Sequence, residues 1–451
     1  MSLGAAQDRE GRRPHGLEGV PLLSAQPVEG RGAKSQAQLS TFIARSTGPV
    51  EHRAHITTYA PWLAPQAREP GPDLVLAHPL RYERVLASSS SHALQCEDDG
   101  QCWRARVELP HGTDFYGLGL AAGALRRNGR AHVLWNTDAW CYGEETPALY
   151  QSHPWVLSLL PDGSAVGLLA ASHGRGLVQV ADDGVEFAFE GEPYALHLIE
   201  AEKPHEVLRA LAALIGTMAL PPLWALGYHQ CRWSYATAAE LCEIARQFRA
   251  RGVPCDALWL DIDYMDRARV FTWDARAFPD TKALARELHE QNFHLVAILD
   301  PGIVADPGDP TCRSALAGEH LVLDAQGQPA RGRVWPGMCY FPDFTREETR
   351  AWWAERVAAF VRAVDLDGLW ADMNEPSVFR VPSKTLAASA RHRGLGGGDH
   401  ARLHNLYGQC MASATRAGLC VARPTVRPFV LTRSNHLAGA RHAATWTGDN
   451  Q

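Results

Sequence analysis

A few acids and one arginine stand where apolar runs give way to polar loops. Gly368-Leu369-Trp370-Ala371 is followed at once by Asp372-Met373-Asn374-Glu375-Pro376-Ser377. Asp261 and Asp263 close the run that begins Ala257-Leu258-Trp259-Leu260, Arg433 closes Phe429-Val430-Leu431-Thr432, and Asp449 lies in Gly448-Asp449-Asn450. The point where a buried parallel strand becomes a loop is where a β/α barrel keeps its reactive groups. Two carboxyls gathered there, one ionised and one holding a proton, can divide nucleophilic and acid–base work between them. A single Asp after a strand also reads as an ordinary loop acid. Arg433 is either a cation that keeps a neighbouring carboxylate ionised or one half of a structural salt bridge. Asp261 and Asp263 have a spacing that a divalent metal can use, but no histidine or further acid cluster accompanies them, so no metal site and no cofactor is expected.

The elements that must position these groups alternate strand and helix from residue 221 onward. Strands are expected over 224–229, 257–263, 294–301, about 368–372, 429–434 and 443–450. Thr237-x-x-Glu240 reads as a capping box, with Leu241, Ile244, Ala245 and Phe248 on one helix face and Gly252 just past the end. A helix is expected near 281–291. Thr345-x-x-Glu348 reads as a second capping box, before a helix whose Trp353, Val357, Phe360, Val361 and Val364 face the core, and another helix is expected near 402–416. These strands fit a (β/α)8 barrel with about six of its eight strands present.

Upstream, the texture differs. Residues 1–70 are rich in Gly, Pro, Ala, Arg and Gln without a sustained period, and read as a loose or irregular segment. Residues 71–203 carry short apolar runs broken by turns: 155–160 and 165–170 flank Pro161-Asp162-Gly163, and Asp182-Asp183-Gly184 opens a second hairpin. They imply an N-terminal β-sandwich domain. Residues 204–220 form a helical linker that starts on Pro204, and Pro221-Pro222 stiffens the entry to the barrel of 221–451.

Bulk properties exclude some functions. Lys+Arg 44 against Asp+Glu 50 leaves a formal charge of −6, with no broad basic face for nucleic acid. A hydrophobic fraction of 46% contains no run of membrane-spanning length. Asp8, Arg9, Glu10, Arg12 and Arg13 occupy the place of a secretory signal core, and the expected location is cytoplasmic. The cysteines lack zinc or redox spacing and read as reduced core thiols, a Cys96–Cys102 disulfide being the alternative.

Trp370-x-Asp372-Met373-Asn374-Glu375-Pro376 resembles the nucleophile signature of glycoside hydrolase family 31, the α-glucosidase family. Tyr116-Gly117-Leu118-Gly119 and Leu134-Trp135-Asn136-Thr137-Asp138-Ala139-Trp140 resemble family segments, the second a loop of the N-terminal domain that reaches over the barrel mouth. The resemblance implies Asp372 as nucleophile and Asp449 as proton donor. It also implies substrate contacts at Asp138, Asp261, Ile262, Trp335, Trp370, Met373 and Arg433. Trp335, Trp370 and Met373 read equally as core packing, and Asp138 as an exposed turn residue.

The implied activity is that of a retaining α-glucosidase-like hydrolase. It would remove nonreducing-end α-linked glucose from oligosaccharides through a covalent glucosyl-Asp372. An α-glucan lyase, a transglucosidase and a noncatalytic carbohydrate-binding subunit or fragment are the alternatives. Against the family pattern, the last two barrel strands, the C-terminal β domains and a pocket histidine have no counterpart, which reads as a C-terminal truncation. A barrel open on two edges is expected to self-associate.

Overall fold

The computed structural model describes residues 43–46, 55–59, 82–85, 92 and 94–449. At its centre is a half-barrel of six parallel strands. In spatial order these are His229–Gln230, Ala257–Leu260, His294–Leu299, Gly368–Ala371, Phe429–Thr432 and Ala444–Thr445. Ala257–Leu260 is buried at every residue and His294–Leu299 at all but its first, as expected where helices cover one face and the barrel interior fills the other. The interior floor is aromatic. Trp224 stacks on His294 with ring centroids 4.6 Å apart and meets Phe429 edge-on at 5.0 Å, below Trp259 and Trp370.

The first strand is shorter than the 224–229 run suggested. Leu223–Leu226 forms a 3-10 turn after Pro222, and Gly227 closes it with its N–H on the Trp224 carbonyl, so pairing begins only at His229. Trp224 is thereby turned under the barrel.

The Ala238–Ala250 helix starts as expected: Thr237 accepts from the Glu240 N–H, and Gly252 follows the helix end at φ 62°. Asp280 caps Thr281–Glu290 in the same way. The second expected capping box does not form. The helix there is Glu347–Val364, with Arg346 at the cap and no side-chain cap bond. The Thr345 hydroxyl is committed elsewhere, donating to Asp343 Oδ1 at 2.5 Å and accepting from the Gly394 N–H at 3.1 Å. Glu347–Val364 lies against Tyr407–Ala422 so closely that a Cβ on Gly418 would stand 2.6 Å from the Ala354 carbonyl oxygen. The helix expected near 402–416 is broken into His400–Leu403, a 3-10 turn His404–Leu406, and Tyr407–Ala422, because His404 and Asn405 turn towards the N-terminal region.

Among the described residues, the N-terminal region supplies an antiparallel sheet of five strands and seven antiparallel strands of an eight-stranded sheet. Trp103, Val107, Val178, Phe187 and Phe189 of the smaller sheet pack against Phe115, Val156, Leu168 and Leu198 of the larger. Both expected hairpins are present: Gln151–Leu159 pairs with Ala165–Ala170, and Gly176–Ala181 with Gly184–Glu190 across a two-residue turn. Ile43–Ser46 and His55–Tyr59 belong to the larger sheet; the rest of the 1–70 segment lies outside the described residues. Helix Pro204–Ile215, with Pro at its start, covers the outer face of that sheet through Val207, Leu211 and Leu214. All ten cysteines are free thiols, Cys96 and Cys102 included.

The two regions share a sheet. Asn435–His436, just past the fifth barrel strand, adds in parallel to Gln151–Leu159 at Gln151 and Ser152. This fixes the barrel mouth relative to the N-terminal loops.

Candidate active site

The parallel register brings successive strand ends to one rim. The Asp372 N–H donates to the Leu299 carbonyl at 3.1 Å and the Arg433 N–H to the Ala371 carbonyl at 3.0 Å, so the strand pairing runs on into the reactive residues. Asn374 joins the two loops above them: its Nδ2 donates to Thr432 Oγ1 at 2.9 Å and its Oδ1 accepts from the Ser434 N–H at 3.0 Å. Met373 has φ 53°, the left-handed region, which turns the chain sharply after Asp372.

Arg433 is the centre of the constellation and is 1% exposed. Its Nε and Nη2 donate to Glu375 Oε1 and Oε2 at 3.0 and 2.8 Å, a bidentate pair. Nη2 also meets Met373 Sδ at 3.2 Å, and the guanidinium carbon stands 5.0 Å from the Tyr150 ring centroid. Asp372 Oδ1 lies 3.1 Å from Nε but out of line with its N–H, which is directed at Glu375, so this oxygen feels the cation without a hydrogen bond. Nη1 reaches Asp449 Oδ2 at 3.5 Å and Asp138 Oδ1 at 3.8 Å. One guanidinium therefore touches four carboxylates from three parts of the chain.

Asp138 arrives from the N-terminal region. Ser377 Oγ donates to its Oδ2 at 2.8 Å and Lys384 Nζ to its main-chain carbonyl at 2.8 Å. The same region holds the Asp449 segment. Gln151 Nε2 donates to the Trp446 carbonyl at 3.0 Å, Tyr142 Oη to that of Thr447 at 3.0 Å, and the Cys141 N–H to that of Asp449 at 3.3 Å. Gly448, at φ 75°, lies against Tyr150 so tightly that a Cβ would stand 2.2 Å from the ring.

Asp261 caps the Ile262–Tyr264 turn, its Oδ1 accepting the Ile262 N–H at 2.7 Å. Ile262 is buried in the main barrel core. Trp370 faces the barrel interior between Trp259 and Trp446, edge-on to both. Trp335 meets Phe379 edge-on at 4.9 Å, and Trp233 beyond it.

Two members were not singled out from sequence. Asp300 ends the His294–Leu299 strand as Asp372 ends its neighbour; it is 5% exposed and its Oδ1 has no hydrogen-bond partner. The rule that selected Asp261 and Asp372, an acid closing an apolar barrel strand, would have found it. Glu375 lay inside the signature, but nothing in its spacing shows that it pairs with Arg433.

The charges are unequal to each other. Burial pushes Asp300 up to about 7, helped by the Asp261 and Glu375 charges and opposed by Arg433. Burial also pushes Asp372 well up, Arg433 pulling it back and Asp300, Asp449 and Glu375 adding to the rise. Glu375 is raised by burial against the pull of Arg433. Several carboxyls and one cation in a dry site cannot all be ionised, and Asp300 and Asp372, whose Oδ1 atoms both lack a donor, share the proton.

Comparison with known proteins matches residues 218–451, just over half of the chain, to the glycosyl hydrolases family 31 TIM-barrel domain. The chain belongs to glycoside hydrolase family 31. Residues 51–176 match the glycosyl hydrolase 31 N-terminal galactose mutarotase-like domain, in keeping with the antiparallel sheets. Alpha-glucosidase 2 of Bacillus thermoamyloliquefaciens is 38% identical over 374 residues, 82% of this chain and 47% of that protein. Neutral alpha-glucosidase AB of Sus scrofa is 35% identical over 76% of this chain and 39% of its own length. The crystal structure of a family 31 alpha-glucosidase from Bacteroides thetaiotaomicron superposes with a TM-score of 0.70 at 41% identity, over 77% of this chain and 57% of that one. The family 31 chain described here thus spans about half the length of the curated relatives it matches.

Proposed function

We propose that this chain carries the nucleophile and the acid–base group of a retaining α-glucosidase acting on nonreducing-end α-linked glucose of oligosaccharides. The observation that carries the reading is the joint hold of Arg433 on Asp372 and Asp449, at 3.1 and 3.5 Å, with Asp138 at 3.8 Å on the same nitrogen as Asp449. The names of the three relatives reported above, each an alpha-glucosidase, support the substrate class.

Asp372 has the right surroundings for attack on the anomeric carbon. Arg433 supports its charge beside the buried Oδ1, and the side chain is 12% exposed, which leaves Oδ2 as the oxygen that would attack. Asp449, whose side chain is 46% exposed, stands where the leaving oxygen and then water can reach it. It would donate a proton to the departing sugar and take one from the incoming water. Asp138 and Asp261 would accept from sugar hydroxyls, and Trp335 and Trp370 offer flat apolar surface to a sugar ring.

Proton NMR of the protein with maltose tests this. Early α-glucose signals are expected; β-glucose appearing first would overturn retention, and no glucose from folded, soluble protein would overturn the assignment of the activity to these 451 residues.

The open edges support self-association as a second property of this chain. Among the described residues no further strand covers the outer edge of His229–Gln230 or of Ala444–Thr445. Leu220, Leu223 and Leu226 beside the first edge are 66%, 83% and 70% exposed.

A further inference from the structure

Behind the candidate site runs a chain of buried imidazoles. Asp343 Oδ1 lies 2.9 Å from His392 Nδ1, His392 Nε2 lies 2.9 Å from His400 Nδ1, and His400 Nε2 lies 3.0 Å from His404 Nδ1. The last link joins His404 Nε2 to the Asn136 main-chain carbonyl at 2.6 Å. His392, His400 and His404 are at most 3% exposed, and Trp135 stacks on His404 with centroids 3.8 Å apart.

Counting protons settles the state of this chain. Its two ends, a carboxylate and a carbonyl, only accept, so the four links need four protons. Three neutral imidazoles bring only three. One ring must be an imidazolium, and the place for it is His392, the ring that faces a carboxylate. Asp343 itself accepts from Thr345 Oγ1 at 2.5 Å and, on Oδ2, from the Arg393 N–H at 2.7 Å, the pattern of an ionised group. At the other end, burial pushes His404 down to about 3 and His400 well below its usual value. The donor order that this count implies is His392 Nε2–H to His400, His400 Nε2–H to His404, and His404 Nε2–H to Asn136.

The Asn136 end and the middle of this order touch the substrate side. Asn136 precedes Asp138 by two residues and is pinned to the barrel at several points. Its N–H donates to Asn405 Oδ1 at 2.9 Å, and its Nδ2 to Ser434 Oγ at 2.9 Å. His400 Nε2 also approaches Thr385 Oγ1 at 3.1 Å, and that hydroxyl donates to the Pro376 carbonyl at 2.7 Å, next to the Ser377 that holds Asp138.

We propose that Asp343, His392, His400 and His404 form a proton-fixed relay that positions the Trp135–Asp138 loop on the barrel and so sets Asp138 beside Arg433. His404 is a positioning residue, acting through Asn136. The part of this that concerns sugar binding rests on the reading of Asp138 as a sugar ligand; the relay itself does not.

The primary test is NMR of the unmodified chain labelled with 15N-histidine at pH 7.5, with His392→Gln and His404→Gln used only for assignment. One ring protonated on both nitrogens, His392, and two rings in the Nε2–H form, His400 and His404, are expected; three neutral rings would overturn the relay. A second arm compares His404→Gln, whose amide can still donate to the Asn136 carbonyl, with His404→Asn, whose amide is too short. Amide exchange at Asn136 and Thr137 should quicken about tenfold in the Asn variant and stay near wild type in the Gln variant. Equal behaviour of the two would sink the positioning role. Glucose affinity by calorimetry should fall about five- to tenfold in His404→Asn alone. If the unmodified chain takes up no glucose, the reading of the site fails, while tautomers and exchange still judge the relay.

Discussion

Arg433 and Glu375 form a fully buried, two-point ion pair, Nε to Oε1 at 3.0 Å and Nη2 to Oε2 at 2.8 Å, with both side chains 1% exposed. Its geometry decides which way the remaining guanidinium nitrogen faces. Nη1 is left for Asp449 and Asp138, and Asp372 lies beside Nε out of the hydrogen-bond line. Glu375 is thus the brace of the site.

Glu375→Gln leaves the Arg433 charge buried and half-paired. A loss of about 3–5 kcal/mol in stability is expected from removing one partner of a buried pair, read by urea denaturation. The double variant Glu375→Gln, Arg433→Met should recover none of that loss, because Asp372, Asp449 and Asp138 are then left without their cation. A single variant as stable as the parent would show that the pair is not the brace inferred.

Asp372→Gly removes the nucleophile while leaving the strand pairing intact. Turnover of a p-nitrophenyl α-glucoside should vanish, and added azide, attacking in place of the carboxylate, should yield β-glucosyl azide. For Asp449→Gly, kcat on maltose should drop by about 10²–10⁴. Azide that rescued neither variant would count against the two assignments.

Asp300 raises Asp372, and burial raises Asp300 to about 7. The two titrate as a unit. Replacing Asp300 by Asn removes a carboxylate that opposes ionisation of Asp372, so the acid limb of the kcat/KM profile should move to lower pH, by about one unit. An unmoved or raised limb would show that the two are not coupled.

His173 and His436 are buried and His153 half-buried where the barrel loop joins the large sheet, and desolvation lowers all three, His153 and His173 to about 4. The folded state keeps them neutral while the unfolded chain, near 6.5, takes up protons first. Stability therefore holds above about pH 6.5 and falls as pH drops towards 4, by up to about 3 kcal/mol for His173 at the lower end. Urea midpoints at pH 7.5, 6 and 4.5 should show this fall, and His173→Phe should flatten it.

Replacing Leu220, Leu223 and Leu226 by Ser should reduce self-association of the chain, measured by sedimentation velocity across a tenfold concentration range. Unchanged association would move the contact surface away from the first strand.

Much of this site was legible in the order of residues. An apolar run closed by an acid marks a strand end in a parallel barrel, and Asp372, Asp261 and Arg433 stand where that pattern places them. Thr237 caps its helix as its spacing implies, because a cap is a contact over three residues. Thr345 has the same spacing and does not cap, because Asp343 and Gly394 take its hydroxyl. Asp300 carries the same strand-end pattern on the neighbouring strand.

What the amino-acid order determined by itself is the alternation of strand and helix and the set of acids delivered to one rim, since both follow from periodicity and local turns. Tertiary structure alone decided which acids share Arg433, that Glu375 braces it, and that Asp138 reaches it from the N-terminal region. It also decided that Asn136 meets Asn405 from 269 positions away. Such contacts depend on the direction of single N–H bonds between distant segments, and no local pattern encodes that direction until the barrel and the sheets have packed.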